Sequence, residues 1–154
     1  MLGDTSATLA LLAGALPAVA AGTSRAAQAR ERLRADAAAE GAPWLDIMAA
    51  LAPTIDVRTV VAADSNMASY YGALSNLPVH RPAGFLYPTG VGTLGYGLPA
   101  ALGAALAETD SRVMALMGDG GIMFTMPELA AAAQQGVALP VVVVDNGGYG
   151  EIRN

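Results

Sequence analysis

The 154-residue chain has no cysteine. That excludes disulfides and every thiolate metal site. Charge is sparse, at 14% of residues, and the net charge is −5. A nucleic-acid partner would call for a basic face, so none is expected. There is one histidine, His80, in the proline-flanked loop 77–82. A single loop histidine reads as a surface residue rather than a general base. No apolar run is long enough to span a membrane. The best candidate, residues 8–21, is short and interrupted by Pro17. It carries an A-x-A-like site at Ala18-Val19-Ala20, but Asp4 precedes it and no Lys or Arg does, which argues against a secretory signal. The stretch reads instead as an amphipathic helix capped by Asp4, Thr5 or Ser6. A cytoplasmic location is compatible with these features.

Apolar residues make up 54% of the chain, enough for one domain with a core. Two stretches organise it. Val113–Met117 runs into Gly118-Asp119-Gly120-Gly121, and Val141–Val144 runs into Asp145-Asn146-Gly147-Gly148. Between them, residues 125–135 are alanine-rich and helical in pattern, with Glu128 in the first turn and Gly136 as a natural stop. Apolar run, glycine turn, helix, apolar run is the βαβ pattern of a parallel sheet. Ligands of such sheets sit beyond the carboxyl ends of the strands. Those ends here offer a carboxylate and an amide oxygen. Both are hard ligands, suited to Mg²⁺ or Ca²⁺. Mg²⁺ is usually shared between one or two protein groups and substrate phosphates. Glycines beside them let backbone N–H groups approach an anion. The residues therefore point to a diphosphate bound through a divalent metal.

Upstream, Trp44, Ile47, Met48 and Leu51 form one apolar helix face after Pro43. Residues 58–63 read as a strand ending in the polar cluster Asp64-Ser65-Asn66. Residues 67–74 read as a short helix in which Tyr70 and Tyr71 pack. Gly90, Gly92 and Gly95 match G-x-G-x-x-G, with Asp119 about where a ribose-binding acid belongs. A Rossmann-type dinucleotide site is thus one alternative. It requires a buried strand directly before the glycines, and residues 81–88, with Pro82 and Pro88, are a poor strand.

Gly118-Asp119-Gly120, a spacer and Asn146 resemble the signature of thiamine-diphosphate-dependent enzymes, Gly-Asp-Gly followed by Asn-Asn. Phe124-Thr125-Met126-Pro127-Glu128-Leu129-Ala130, Leu139-Pro140 and Gly95-Tyr96-Gly97-Leu98-Pro99-Ala100-Ala101-Leu102-Gly103-Ala104 are similar to stretches of the acetolactate synthase and 2-oxo-acid decarboxylase group. The closing Gly-Tyr-Gly-Glu-Ile-Arg resembles 5-guanidino-2-oxopentanoate decarboxylases. Asp145 departs from the signature, and its role is open.

The resemblance implies an α/β fold, a parallel sheet with helices on both faces, C-terminally truncated. Residues 1–20 resemble a strand stub and helix closing a preceding central domain. Residues 21–41 read as an exposed helical linker, and 42–154 as an incomplete diphosphate-binding domain. It implies thiamine diphosphate and Mg²⁺ as cofactors, with Asp119, Asn146 and the Gly148 carbonyl on the metal. Gly118, Gly120 and Gly121 would lie against the diphosphate. Asn66 either contacts the diphosphate or simply caps a helix. In the loop Gly92-Thr93-Leu94, the Gly92 carbonyl would meet the 4′-amino group, the Leu94 N–H the ring, and the Leu94 side chain would prop the cofactor. The other reading of Leu94 is ordinary core.

No catalytic residue is assigned. The activating Glu of the family lies on a pyrimidine-binding domain of a partner subunit, in a homodimer or homotetramer, and Glu128 and Glu151 have structural explanations. The implied function is cofactor binding within a 2-oxo-acid decarboxylase or acetolactate-synthase-like carboligase, inactive in isolation. A non-catalytic module retaining the fold is a further alternative.

Overall fold

A computed structural model describes residues 3–17 and 22–153. Residues 1–2, at the start of the stretch expected to hold a strand stub and helix, and the A-x-A-like site at 18–20 lie outside them. The chain divides into two compact units, residues 1–34 and 35–154. The first holds α1 (Thr5–Ala15) and the start of α2 (Thr23–Leu51). Asp4 caps α1, its carboxylate accepting from the Ala7 N–H at 2.7 Å. The expected amphipathy is not found. Leu9, Leu12 and Leu16 share one face but Leu11 lies off it, and no residue of α1 is buried. Alanine and leucine surround the helix, so there is no polar face for a core to select against.

The second unit is built on a four-stranded, wholly parallel sheet in the order β2-β1-β3-β4. Its strands are β1 (Thr59–Ala63), β2 (Phe85–Leu86), β3 (Arg112–Gly118) and β4 (Val141–Val144). Every residue of β1 is buried, as a central parallel strand covered on both faces requires. Alternate residues serve two cores. Val60, Ala62, Val113, Ala115 and Met117 pack with Leu98 and Ala101 of α4 (Gly97–Ala107). Val61, Ala63 and Leu116 pack with Met48 of α2, Ala73 and Leu77. Helices therefore cover both faces, as the resemblance implied. Leu98 has no solvent exposure, and burying such a side chain contributes about 1.5–3 kcal/mol.

Gly41 breaks α2 with non-helical backbone (φ −142°, ψ 29°), so Pro43 and the Trp44 face belong to a separate helical segment, in keeping with the expected start of a new helix there. Three local details differ from expectation. The short helix after β1 winds as a π-helix over Ala68–Ala73 before α3 (Leu74–Asn76). The 125–135 helix is shorter, α6 (Glu128–Gln134), preceded by α5 (Asp119–Thr125), with Pro127 between them. Gly136 does stop α6, at φ +66°. Finally, residues 81–88 do contain a strand. Phe85 and Leu86 pair with Val61 and Ala62, and the flanking prolines hold β2 to two edge residues.

This last finding gives the Rossmann reading its missing strand, but the topology removes it. In a Rossmann unit the glycine-loop strand and the acid-bearing strand are neighbours. Here β1 lies between β2 and β3. Among the described residues, no helix is long and apolar enough to cross a membrane.

Candidate functional site

The carboxyl end of the sheet opens into a cavity of about 400 Å³. Its floor comes from the tips of two neighbouring strands. Gly118 of β3 stands in register with Val144 of β4, so Asp119 and Asn146 leave the sheet side by side. Both line the cavity, together with Gly118, Gly120, Gly121 and Gly148. A Cβ built on Gly120 would meet nothing within 4 Å, so this turn faces open space. Asn146 Oδ1 accepts from the Gly148 N–H at 3.1 Å, and Asp145 Oδ1 accepts from the Gly147 N–H at 2.8 Å. Two successive Asx turns thus fold the β4 tip back on itself. That answers the question of Asp145: its carboxylate closes a turn and does not line the cavity.

Asp119 and Glu151 are the only charged side chains that line the cavity among the described residues. No arginine or histidine does. Burial, and then the negative charge of Asp64, raise the Glu151 carboxyl above its ordinary range. The structural explanation given to Glu151 from sequence is therefore incomplete, since it faces the cavity at the start of α7 (Gly150–Arg153). Glu128 opens α6 and is not in the lining. His80 is exposed and also absent from the lining.

The donor set suits a divalent cation shared with phosphate. Among the described residues there is no group of three His, Cys, Asp or Glu that could hold a metal alone. The Asp119 carboxylate and the Asn146 amide oxygen would leave coordination positions for phosphate oxygens and water, which is how Mg²⁺ is usually held. The charges agree. Asp119 and Glu151 would repel a diphosphate unless a cation lay between them, and the Arg153 guanidinium stands beside Gly148 rather than among the lining residues.

The tip of β1 forms the back wall. Asn66 is buried, and its side chain is committed locally. Its Oδ1 accepts from the Ser69 N–H at 2.9 Å, while Nδ2 donates to the Asp64 and Leu116 carbonyls at 3.1 and 3.5 Å. Of its two readings, the helix cap is the one these bonds describe, although Asn66 also borders the cavity. Ser65 hydrogen-bonds the Tyr70 hydroxyl, and Tyr70 stands edge-on to Tyr87 with ring centroids 6.1 Å apart. Burial first, then Tyr70, raises the Tyr87 phenol. Tyr70 therefore packs, as expected.

The glycine loop lies across this wall. Leu94 is 44% exposed and lines the cavity, so it is not ordinary core. Gly92 and Thr93 sit outside the lining, with Gly92 beside the Ser65 and Tyr70 hydroxyls. Gly95 has φ +80°, and a Cβ there would come within 2.9 Å of Phe124 Cβ, so the turn admits only glycine without strain. Sequence reasoning did not single out Asp64, nor place Trp44, Met123, Phe124, Tyr149 and Ile152 around the cavity. The signal available for Asp64 was its place in the polar cluster after β1.

Comparisons with known proteins agree with this geometry. Residues 66–154 match the family described as thiamine pyrophosphate enzyme, C-terminal TPP binding domain. A probable 2-ketoarginine decarboxylase of Pseudomonas aeruginosa is 36% identical over 158 residues, covering 99% of this chain and 28% of the relative. The large subunit of acetolactate synthase isozyme 1 of Escherichia coli is 33% identical over 104 residues, covering 68% of this chain and 18% of the relative. A thiamine diphosphate-dependent 4-hydroxybenzoylformate decarboxylase of Rhodococcus jostii superposes with a TM-score of 0.65 at 29% identity, covering 71% of this chain and 20% of that one. The chain thus spans less than a third of the length of these relatives. It belongs to the thiamine pyrophosphate enzymes, and residues 66–154 are their C-terminal cofactor-binding domain.

Proposed function

We propose that the chain holds the diphosphate end of thiamine diphosphate through Mg²⁺, as part of a 2-oxo-acid decarboxylase or an acetolactate-synthase-like carboligase. The observation that carries this reading is the pairing of Asp119 and Asn146 on adjacent strand tips, in one cavity that contains no cationic side chain. Asp119, Asn146 Oδ1 and the Gly148 carbonyl hold the metal. The Gly118–Gly121 turn leaves room for phosphate oxygens.

Leu94 faces the same cavity from the opposite loop, placed to support the cofactor's rings. The Gly92 carbonyl and the Leu94 N–H are the ring's polar contacts. When bound, the cofactor supplies the electron sink for cleaving the bond beside the 2-oxo group. The chain's own residues orient it, and Trp44, Met123 and Phe124 limit water around it. The loop and α5 also leave Val91, Met123 and Phe124 exposed at 90%, 66% and 69%. Such an apolar rim suits a covering domain, here the pyrimidine-binding domain of a partner subunit that brings the activating carboxylate. The chain alone then binds cofactor but turns over no 2-oxo acid.

Titration calorimetry with thiamine diphosphate tests the reading. Binding is expected with Mg²⁺ and none with EDTA. Equal affinity under both conditions would remove the metal from the site.

A further inference from the structure

Asp64 is a fully buried carboxylate. No arginine pairs with it among the described residues. A buried charge in that position is costly unless hydrogen bonds replace the lost water. Three do. The N–H groups of Gly95, Tyr96 and Gly97 donate to Asp64 at 3.0, 2.9 and 3.4 Å. They come from three successive residues more than thirty positions away, where the glycine loop becomes α4. Bonds from N–H groups to an ionised carboxylate are among the stronger ones available to a protein.

The loop needs such an anchor. Gly90, Gly92 and Gly95 all have positive φ, and a run this rich in glycine has high backbone entropy to lose. Leu94 directly precedes the anchored residues. The same carboxylate also sets the position of α5. A Cβ on Gly121 would collide with Asp64 Oδ2, so that helix packs directly against the carboxylate, two residues after Asp119. One buried group therefore touches both the loop that carries Leu94 and the helix that begins at Asp119.

We propose that Asp64 is a positioning residue that fixes the Leu94 loop relative to the diphosphate-holding strand tips. It touches neither metal nor cofactor. Its function, though not its hydrogen bonds, rests on the cofactor reading above. The consequence is selective for a substitution that keeps the contact with Gly121 and loses the N–H bonds. It should loosen the hold on the cofactor's rings and leave the hold on its phosphates intact.

The test uses Asp64→Asn, which keeps the shape but turns an NH₂ toward N–H donors. Trp44 is the only tryptophan and lines the cavity, so its fluorescence reports ligand binding. Thiamine diphosphate with Mg²⁺ should bind about tenfold more weakly to the variant. Inorganic pyrophosphate with Mg²⁺ should bind within about twofold of the parent, since it makes no ring contacts. In the ligand-free protein, amide hydrogen exchange at residues 95–97 should be faster in the variant.

Equal weakening of both ligands would mean a general structural role and overturn the proposal. Unchanged exchange would overturn it too. If the parent chain binds neither ligand, the cofactor reading fails, and the exchange measurement still decides whether Asp64 holds the loop. Should Asp64→Asn not fold, Tyr96→Pro removes one donor while suiting the backbone there (φ −72°). It should show the same split between the two ligands, and loss of the split would count against the proposal equally.

Discussion

Two parts of the sheet's carboxyl edge are built differently. At the tip of β1, Asp64, Ser65 and Asn66 direct their side-chain hydrogen bonds inward, to the glycine loop, to Tyr70, to Ser69, to the Asp64 carbonyl and to the end of β3. At the tips of β3 and β4, Asp119 and Asn146 line a cavity, and the bonds at the β4 tip are local: two Asx turns and the Gly150 N–H donating to the Gly148 carbonyl. The first tip is a fastening. The second, on the proposed reading, is a holder whose ligands come from outside. A site of this kind needs both, because a metal and a phosphate can be gripped well only where the surrounding walls do not drift.

Changes in the two regions should therefore fail in different ways. The largest expected effect is on the wall. Leu98→Ala empties a fully buried position under β1 and β3 and should cost about 2–5 kcal/mol of stability, read from urea unfolding. A loss below about 1 kcal/mol would mean that the core there collapses freely.

Next is the holder. Asp119→Ala should weaken Mg²⁺-dependent thiamine diphosphate binding on the order of a hundredfold, with the unfolding midpoint nearly unchanged. Unchanged calorimetric affinity would take Asp119 out of the site. Gly95→Ala comes third. The left-handed backbone and the crowding by Phe124 should together cost about 1–2 kcal/mol, and the added strain should fall on the Leu94 loop. A thermal melt matching the parent would show that the loop re-forms elsewhere.

The smallest effect lies far from both tips. Arg112 pairs with Asp56 at 2.6 Å, and its hydrogen bond is the main reason that carboxyl is lowered from 3.8 to about 2. A lowered folded-state pKa means stability that is present above pH 3.8 and is lost as pH falls toward 2. Asp56→Asn should therefore flatten the acid limb of the stability curve slightly, and added salt should do the same to the parent, because the pair is half exposed. A steep acid limb that survives the substitution would place the titration elsewhere.

How much of this was legible in the sequence follows from the range of the interactions involved. The β3 and β4 tips were legible because strand and turn are contiguous there: an apolar run followed at once by Asp or Asn and glycine. The fold class followed from the same repetition. Asp64 was not legible as an anchor, since its three donors come from residues 95–97 and nothing local announces them. Asn66 could be read two ways until its bonds to Ser69 and Leu116 were seen. The two-residue β2 was hidden because its pairing with β1 is a tertiary fact, while Pro82 and Pro88 are local ones. In α1 the error ran the other way: the leucines suggested an amphipathic helix, but alanine and leucine surround it and no residue is buried.

One consequence of the strand order remains. β4 lies outermost among the described strands, and none of these strands pairs with its outer edge. Four consecutive valines, with neither charge nor proline among them, make that edge receptive to an extended segment. A strand paired there would also hold Val144, and with it the Asx turn that Asn146 makes two residues on.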